Sequence, residues 1–153
     1  MSKPLIFRKA NKNDLEEITA MLLDDSLGIS RESKDPAAHS SYYKAFEKID
    51  SDPNQELTVA LIEDEIIAVF QLTFIQYLTY QGGLRAQVEG VRVKSSSRGQ
   101  GFGKQIFDYI IKRAKSKGAH LVQLTTDKAR PEALRFYERL GFVASHHGMK
   151  LHF

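Results

Sequence analysis

Residues 98–104 read Arg-Gly-Gln-Gly-Phe-Gly-Lys and lie between a strand-like run, 84–94, and a helix-like run, 102–116. Glycines at alternate positions let the backbone approach a ligand closely and adopt conformations that other residues avoid. The helix that follows adds unpaired N–H groups and the positive end of its dipole. The stretch therefore predicts a loop that holds a phosphate or a pyrophosphate.

The usual nucleotide motifs fit this loop poorly. A P-loop requires G-x-x-x-x-G-K-[ST], but Arg98 stands at its first glycine and Gln105 at its magnesium-binding hydroxyl. A dinucleotide fingerprint requires G-x-G-x-x-G/A, but Lys104 stands at its last position. The pattern that fits is Arg/Gln-x-x-Gly-x-Gly/Ala, which Arg98, Gly101 and Gly103 match.

Composition sets the broad class of the protein. The chain has 153 residues, 42% hydrophobic and 27% charged, with a net charge of +3. These values predict one domain, residues 1–153, and give no support to nucleic-acid binding. The absence of cysteine excludes disulfides and thiolate metal sites. No signal-peptide pattern or run of membrane-span length is seen, so we expect a cytoplasmic protein without membrane contact.

Hydrophobic periodicity and turn signals predict the order β-α-α-β-β-β-α-β-α-β, an α/β or α+β fold. Asn11 is expected to cap the first helix, with Asp14 as the acid of a capping box. The strand–helix–strand unit around helix 102–116 requires a parallel pair of strands. Pro131 is expected to open the last helix, and residues 142–153 offer one or two closing strands.

The strand before the glycine loop changes phase. Its apolar residues fall at even positions up to Val88 and at odd positions from Val91 onward. Side chains alternate strictly between the two faces of a strand, so this change requires one extra residue. Gly90 lies at the change, and a glycine inside a strand often marks a bulge. The alternative interpretation is an ordinary irregularity of an edge strand.

A second motif lies near the end of the chain. Residues 133–142 read Ala-Leu-Arg-Phe-Tyr-Glu-Arg-Leu-Gly-Phe and meet every defined position of A-x-x-[FL]-Y-x-x-x-G-F. Together with the glycine loop, this pattern resembles motifs A and B of the GNAT superfamily of acyl-CoA-dependent N-acetyltransferases. The resemblance covers roughly residues 87–143. It implies a mixed, mostly antiparallel sheet of six or seven strands, with a bulged fourth strand and helices on both faces.

The resemblance also implies a cofactor site for acetyl-CoA. The bulged strand would pair with the pantetheine arm through Val91, Arg92 and Val93. The loop would hold the pyrophosphate through Arg98, Gly99, Gln100, Gly101, Phe102, Gly103 and Lys104. Arg130 stands where many family members have an asparagine that contacts the cofactor region. Its long cationic side chain could approach the phosphates or face solvent.

Two residues are candidates for proton transfer. By the resemblance, Tyr137 lies near the thioester sulfur and protonates the departing thiolate; the alternative is a core tyrosine with a satisfied hydroxyl. The chemistry needs a neutral amine, and a free alkyl amine has a pKa of roughly 10. Glu89, on the strand before the bulge, is the candidate base. Its alternative interpretation is a solvent-facing strand residue.

The sequence does not identify the acetyl acceptor. Asp24, Asp25 and Glu32 could bind a cationic substrate or be solvated, and Tyr77 and Tyr80 could line the pocket. The five histidines show no metal-ligand pattern, so we expect no metal. We expect acetyl transfer from acetyl-CoA by direct attack of a primary amine, most simply of a small molecule, while a protein amine stays open. The alternative is a non-catalytic module that binds and senses acyl-CoA, and a homodimer is compatible with the family.

Overall fold

The computed structural model describes residues 3–25 and 27–153, in two units that meet in sequence at Gln123 and Leu124. The prediction of one domain stays a prediction. The elements run β1 (Ile6–Lys9), α1 (Leu15–Leu23), α2 (Pro36–Ser51), β2 (Gln55–Ile62), β3 (Glu65–Gln76), a one-turn α3 (Thr79–Gly82), β4 (Leu84–Val93), α4 (Phe102–Ser116), β5 (Leu121–Gln123) and α5 (Pro131–Arg139).

One mixed sheet forms the centre of the first unit. Its strand order is β1-β2-β3-β4-β5, and the first three pairings are antiparallel. β4 and β5 run parallel, with Ala86 opposite Val122, and α4 is the crossover between them. The predicted α/β class and the parallel pair are therefore confirmed.

Helices lie on both faces of this sheet, as expected. Val69 of β3 belongs to a buried cluster with Ile18 of α1 and Phe46 of α2. Its neighbour Phe70 is fully buried and contacts Tyr109 of α4, with 6.0 Å between the ring centroids. Adjacent strand residues point to opposite faces, so α1 and α2 cover one face and α4 covers the other.

The start of α1 follows the predicted capping box. Asn11 accepts a hydrogen bond from the backbone of Asn13, and the Asp14 carboxylate accepts one from the backbone of Asn11 at 2.8 Å. Arg8 also donates to both oxygens of Asp14, at 2.6 and 2.9 Å. The hydrogen bond from Arg8 is the main cause that lowers the pKa of Asp14. These hydrogen bonds hold the start of α1 next to β1.

The predicted strand number is wrong. The described residues form five strands rather than six or seven, because residues 142–153 carry none. In that stretch the backbone N–H of Ser145 bonds to the carbonyl of Val143 at 2.9 Å, and the Ser145 hydroxyl lies 2.7 Å from His146 Nδ1. Such local bonds compete with the ladder that a strand requires. The short α3 was not predicted either.

Candidate active site

β4 bulges at the residue where its apolar pattern changes phase. Val69 of β3 is opposite Arg92, and Gln71 is opposite Glu89, so the one residue between them faces two on β4. Gly90 has φ +62°, which is the left-handed conformation of the first residue of a G1 bulge. The predicted bulge is therefore confirmed.

The pairing of β4 with β5 ends just before this bulge. The last pair is Gln87 with Gln123, so the register between the described strands leaves β4 unpaired on that side beyond Gln87. The carbonyl of Val91 accepts a bond from the Arg92 side chain at 2.8 Å, and that of Val93 accepts one from Arg98 at 3.0 Å. A carbonyl has two lone pairs, so one such bond does not saturate it.

The glycine loop leads directly into α4. Gly99 has φ +74°, and a Cβ there would meet nothing within 4 Å. Gly101 is the N-cap residue of α4, at φ +81° and ψ 5°, and no side chain caps the helix. Phe102 is buried, with 3% of its surface exposed, and anchors the first turn. The loop therefore presents backbone N–H groups beside an uncapped helix start.

Polar side chains of the loop hold its shape. Arg98 donates to the backbone oxygen of Asp24 at 2.8 Å in addition to Val93, which joins the end of β4 to the end of α1. Gln100 donates to the carbonyl of Ser96 at 3.1 Å. Lys104 lies at the surface and pairs with Asp108 at 2.6 Å. Arg98 and Gln100 thus brace the loop.

Glu89 stands at the end of a chain of hydrogen bonds, which we call the amide chain. Arg85 donates to Gln123 Oε1 at 3.2 Å, Gln123 donates to Gln87 Oε1 at 2.8 Å, and Gln87 donates to Glu89 Oε1 at 3.2 Å. In each of these bonds, the acceptor is the residue one step closer to Glu89. The carboxylate is solvent-exposed and accepts a hydrogen bond from the Gln87 amide.

The acidic residues between α1 and α2 pair with other side chains of the protein. Asp25 is only 13% exposed and lies 3.3 Å from Arg92 and 3.8 Å from Arg31. Glu32 accepts a hydrogen bond from the Tyr42 hydroxyl at 2.5 Å, and this hydrogen bond is the main cause that raises the pKa of Tyr42.

Asp24 lies 3.8 Å from Arg98. Each of the three acids thus has a partner within the protein.

The two predicted pocket tyrosines meet around one cation. The guanidinium carbon of Arg85 lies 4.3 Å from the ring centroid of Tyr77 and 5.2 Å from that of Tyr80. Tyr80 also stacks on His120, with 5.2 Å between the ring centroids. Tyr80 and Gln81 of α3 have left-handed backbones, with φ of 53° and 58°. This conformation is strained for residues other than glycine.

The second unit contains the two remaining candidates. Tyr137 lies on α5 and packs edge-on against Phe136 and Phe142, with centroid distances of 5.5 and 5.9 Å. Arg130 is the N-cap residue of α5, and its backbone N–H bonds to Asp127 at 2.9 Å. Within residues 3–25 and 27–153, no helix is long and apolar enough to cross a membrane, and no metal-binding cluster of His, Cys, Asp and Glu is found.

The bulge, the uncapped glycine loop and the aromatic α5 agree with one known family. The sequence profile of the acetyltransferase (GNAT) family matches residues 19–142. The chain belongs to this family. Its fold is therefore the GNAT fold, with the five strands described above.

Two curated relatives resemble parts of this GNAT chain. The aminoalkylphosphonate N-acetyltransferase of Salmonella typhimurium is 30% identical over 95 residues, 62% of this chain and 61% of that protein. The L-methionine sulfoximine/L-methionine sulfone acetyltransferase of Pseudomonas aeruginosa is 33% identical over 64 residues, 41% of this chain and 37% of that protein. The matched stretches thus span less than two thirds of either relative.

Solved structures match the whole GNAT chain. A protein of Bacillus halodurans C-125, described as a transcriptional regulator, is 53% identical, with a TM-score of 0.93 over 97% of this chain and 99% of that chain. A predicted acetyltransferase of Clostridium acetobutylicum, solved with acetyl-CoA, is 20% identical, with a TM-score of 0.75 over 97% of this chain and 96% of that chain. The latter likeness shows the fold alone.

Sequence reasoning missed three residues in this GNAT domain. Arg85, Gln87 and Gln123 form the amide chain, yet no motif contains them. Parity in β4 places Arg85 and Gln87 on the same face as Glu89, so this signal was available for two of them. Gln123 could be found only from the register between β4 and β5, which the sequence does not specify.

Proposed function

We propose that this protein transfers an acetyl group from acetyl-CoA to the primary amine of a small molecule by direct attack. The observation that carries the proposal is the bulge at Gly90. It opens the β4 backbone immediately after Glu89, at a point where β5 no longer pairs with β4. Acetyl-CoA would supply an activated acetyl group at this opening.

The residues on either side of the opening fit this donor. Val91, Arg92 and Val93 offer a strand edge that an extended amide-containing arm can pair with. The backbone of residues 98–104 offers N–H groups and an uncapped helix start, which suit a pyrophosphate. Arg98 and Gln100 fix that backbone before any ligand binds. Lys104 adds a nearby positive charge that it shares with Asp108.

Glu89 acts as the base in this proposal. An alkyl amine with a pKa of roughly 10 is mostly protonated at neutral pH and cannot attack a thioester. Glu89 accepts that proton, directly or through one water molecule, while Gln87 keeps its carboxylate oriented. The neutral nitrogen then forms the new C–N bond, and much of the rate comes from holding the two reactants together.

Two groups complete the transfer. The backbone N–H of Val91, at the bulge, donates to the carbonyl oxygen as negative charge develops on it. Tyr137 gives its hydroxyl proton to the sulfur as the C–S bond breaks, and the second proton of the attacking nitrogen, lost as the amide forms, returns to the Tyr137 oxygen through solvent. This role comes to Tyr137 from the family motif on α5, and Arg130 at the start of that helix is proposed to contact the cofactor.

Two observations support a small acceptor. The names of the curated relatives describe acetylation of aminoalkylphosphonates and of L-methionine sulfoximine or sulfone, all small amines. In addition, Asp24, Asp25 and Glu32 are engaged with Arg98, Arg92 and Tyr42. Engaged carboxylates do not favour a polycationic acceptor, because binding it would require breaking those contacts.

A second candidate function is a module that binds acyl-CoA without turning it over. The description of the 53% identical Bacillus halodurans protein as a transcriptional regulator favours it. Such a module would use the same loop and the same strand edge. It would have no need of an oriented carboxylate at position 89.

One experiment separates the two functions. Purified protein is incubated with acetyl-CoA and a panel of small amines, and free thiol and acetylated product are measured. The transferase predicts amine-dependent thiol release with a matching acetylated product. Binding of coenzyme A by calorimetry, with no thiol release for any amine, contradicts the transferase and supports the sensing module.

A further inference from the structure

Within the described residues of the first unit, no carboxylate forms an ion pair with Arg85, in contrast to most arginines there. Arg8, Arg92 and Arg113 each lie within 4 Å of an Asp or Glu oxygen. Among the described residues, one terminal nitrogen of Arg85 donates a hydrogen bond to the neutral amide of Gln123 at 3.2 Å. Its Nε is buried and has no hydrogen-bond partner there.

Burying a hydrogen-bond donor without a partner typically destabilises the folded protein by about 1–3 kcal/mol. Aromatic rings, rather than an acidic side chain, lie against the Arg85 guanidinium. Tyr77 and Tyr80 lie against the guanidinium at 4.3 and 5.2 Å, so the charge is held between aromatic rings. Aromatic rings do not accept the in-plane N–H bonds of a guanidinium, so the two terminal nitrogens can still donate to a planar or tetrahedral oxyanion.

The turn that presents Tyr80 is held in a strained conformation. The Gln76 side chain donates to the carbonyl of Gly82 at 2.7 Å, and the N–H of Gly82 bonds to Leu78 at 3.0 Å. A Cβ on Gly83 would come within 2.6 Å of the His120 ring, so the next position is also tightly fitted. Strained backbone that its surroundings enforce is concentrated at binding sites.

Arg85 and the candidate base lie on one strand and one face. Glu89 lies four positions after Arg85, about 13 Å along β4 at the usual rise per residue. The amide chain connects the two side chains through Gln123 and Gln87. A short aliphatic molecule can span this distance once the reach of both side chains is counted.

We propose that Arg85, with Tyr77 and Tyr80, binds an anionic group of the acetyl acceptor. The acceptor then carries a primary amine, which Glu89 deprotonates, and a carboxylate or phosphonate, which the Arg85 guanidinium holds. This inference rests on the proposed transferase function and names its substrate class. An arginine edge that meets two oxygens of one acid forms charge-assisted hydrogen bonds, which are among the strongest in proteins.

The test compares matched acceptors. β-Alanine, 4-aminobutyrate and 5-aminovalerate are each paired with their neutral amides, and aminoalkylphosphonates are paired with the corresponding alkylamines. The wild-type protein is expected to favour the acids by at least about tenfold in kcat/KM, which corresponds to roughly 1.4 kcal/mol. The carboxylate and phosphonate arms show which acid is preferred. Equal kcat/KM for acids and neutral partners would overturn the anion site while leaving the transferase function in place.

Variants test whether Arg85 and Tyr80 cause the preference for acidic acceptors. Arg85→Gln should reduce the acid-to-amide ratio of kcat/KM to near one, and Tyr80→Asn, which keeps a residue tolerant of the left-handed turn, should reduce it partly. Lys112→Gln on the exposed side of α4 removes the same charge and should keep the ratio. Coenzyme A binding by calorimetry checks that each variant is folded. A ratio unchanged in both Arg85→Gln and Tyr80→Asn would refute the assignment, whereas the absence of turnover with every amine would refute the transferase itself.

Discussion

Gly101→Val places a β-branched residue at φ +81° and ψ 5°, in the left-handed conformation that opens α4. An L-residue other than glycine loses about 1–2 kcal/mol or more in this region. The backbone will either keep its shape under strain or rotate out of it. Rotation turns away the N–H groups that the loop offers to a pyrophosphate.

The expected effect on binding is larger than the strain. A hydrogen bond to a charged oxygen contributes about 1.5–3 kcal/mol. Loss of two such bonds amounts to roughly 3–6 kcal/mol, which weakens the Kd for coenzyme A by about two to four orders of magnitude. Isothermal titration calorimetry measures this directly, and urea denaturation measures the accompanying change in stability.

The chain offers a matched control at the other end of the same helix. Gly118 has φ +83°, nearly the same as Gly101, and open space where a Cβ would be. It follows the end of α4, about 22 Å from the loop by the helical rise of the intervening residues. Gly118→Val should lose similar stability and keep the Kd of coenzyme A. Near-normal binding by Gly101→Val would refute the assignment of the loop to the pyrophosphate.

Three further predictions concern the chemistry and the fold. Glu89→Gln should lower kcat/KM by about a hundredfold at pH 7. Steady-state rates should show the difference between wild type and variant shrinking as pH rises toward the amine pKa of roughly 10. A difference that stays constant with pH would argue against Glu89 as a base. Tyr137→Phe should lower kcat at least about tenfold with little change in the coenzyme A Kd, while Tyr109→Phe serves as the matched control; equal turnover in stopped-flow assays would remove Tyr137 from the acid role. Asp14→Asn should cost about 2 kcal/mol of unfolding free energy at pH 7. Because the folded pKa of Asp14 is lowered, this difference should be full above about pH 4 and decline as pH falls through the folded value; urea melts that show no decline would contradict it.

Local patterns in the sequence predict the parts of the site that local physics determines. The phase change at Gly90 was enough to place the bulge, because a strand cannot change face without an extra residue. Phe102–Ser116 was predicted with its observed bounds, because helical periodicity and Gly118 mark it. The capping box is predicted because Asn11 and Asp14 are three positions apart. Each of these features depends on residues a few positions apart.

Long-range partners could not be predicted in the same way. Asp25 pairs with Arg92, and Gln123 bonds to Gln87, across large separations in sequence. These contacts depend on sheet register and on the path of the α1–α2 connection. Residues 142–153 show the reverse case: one or two closing strands were expected there, and local hydrogen bonds form near Ser145 instead.

The charges along one face of β4 bear on what the acceptor can be. Asp25 already pairs with Arg92 near the bulge, and Glu89 is the base in the proposed function. Arg85 then leaves a positive charge at the far end of the same row, with a neutral amide as its hydrogen-bond acceptor. A ligand with an ammonium near Glu89 and an acid near Arg85 matches both charges at once, whereas a polyamine would bring its second cation toward Arg85. In the proposed site, repulsion between those two cations, where aromatic rings limit screening by water, would therefore select against polyamines and in favour of amino acids and aminophosphonates.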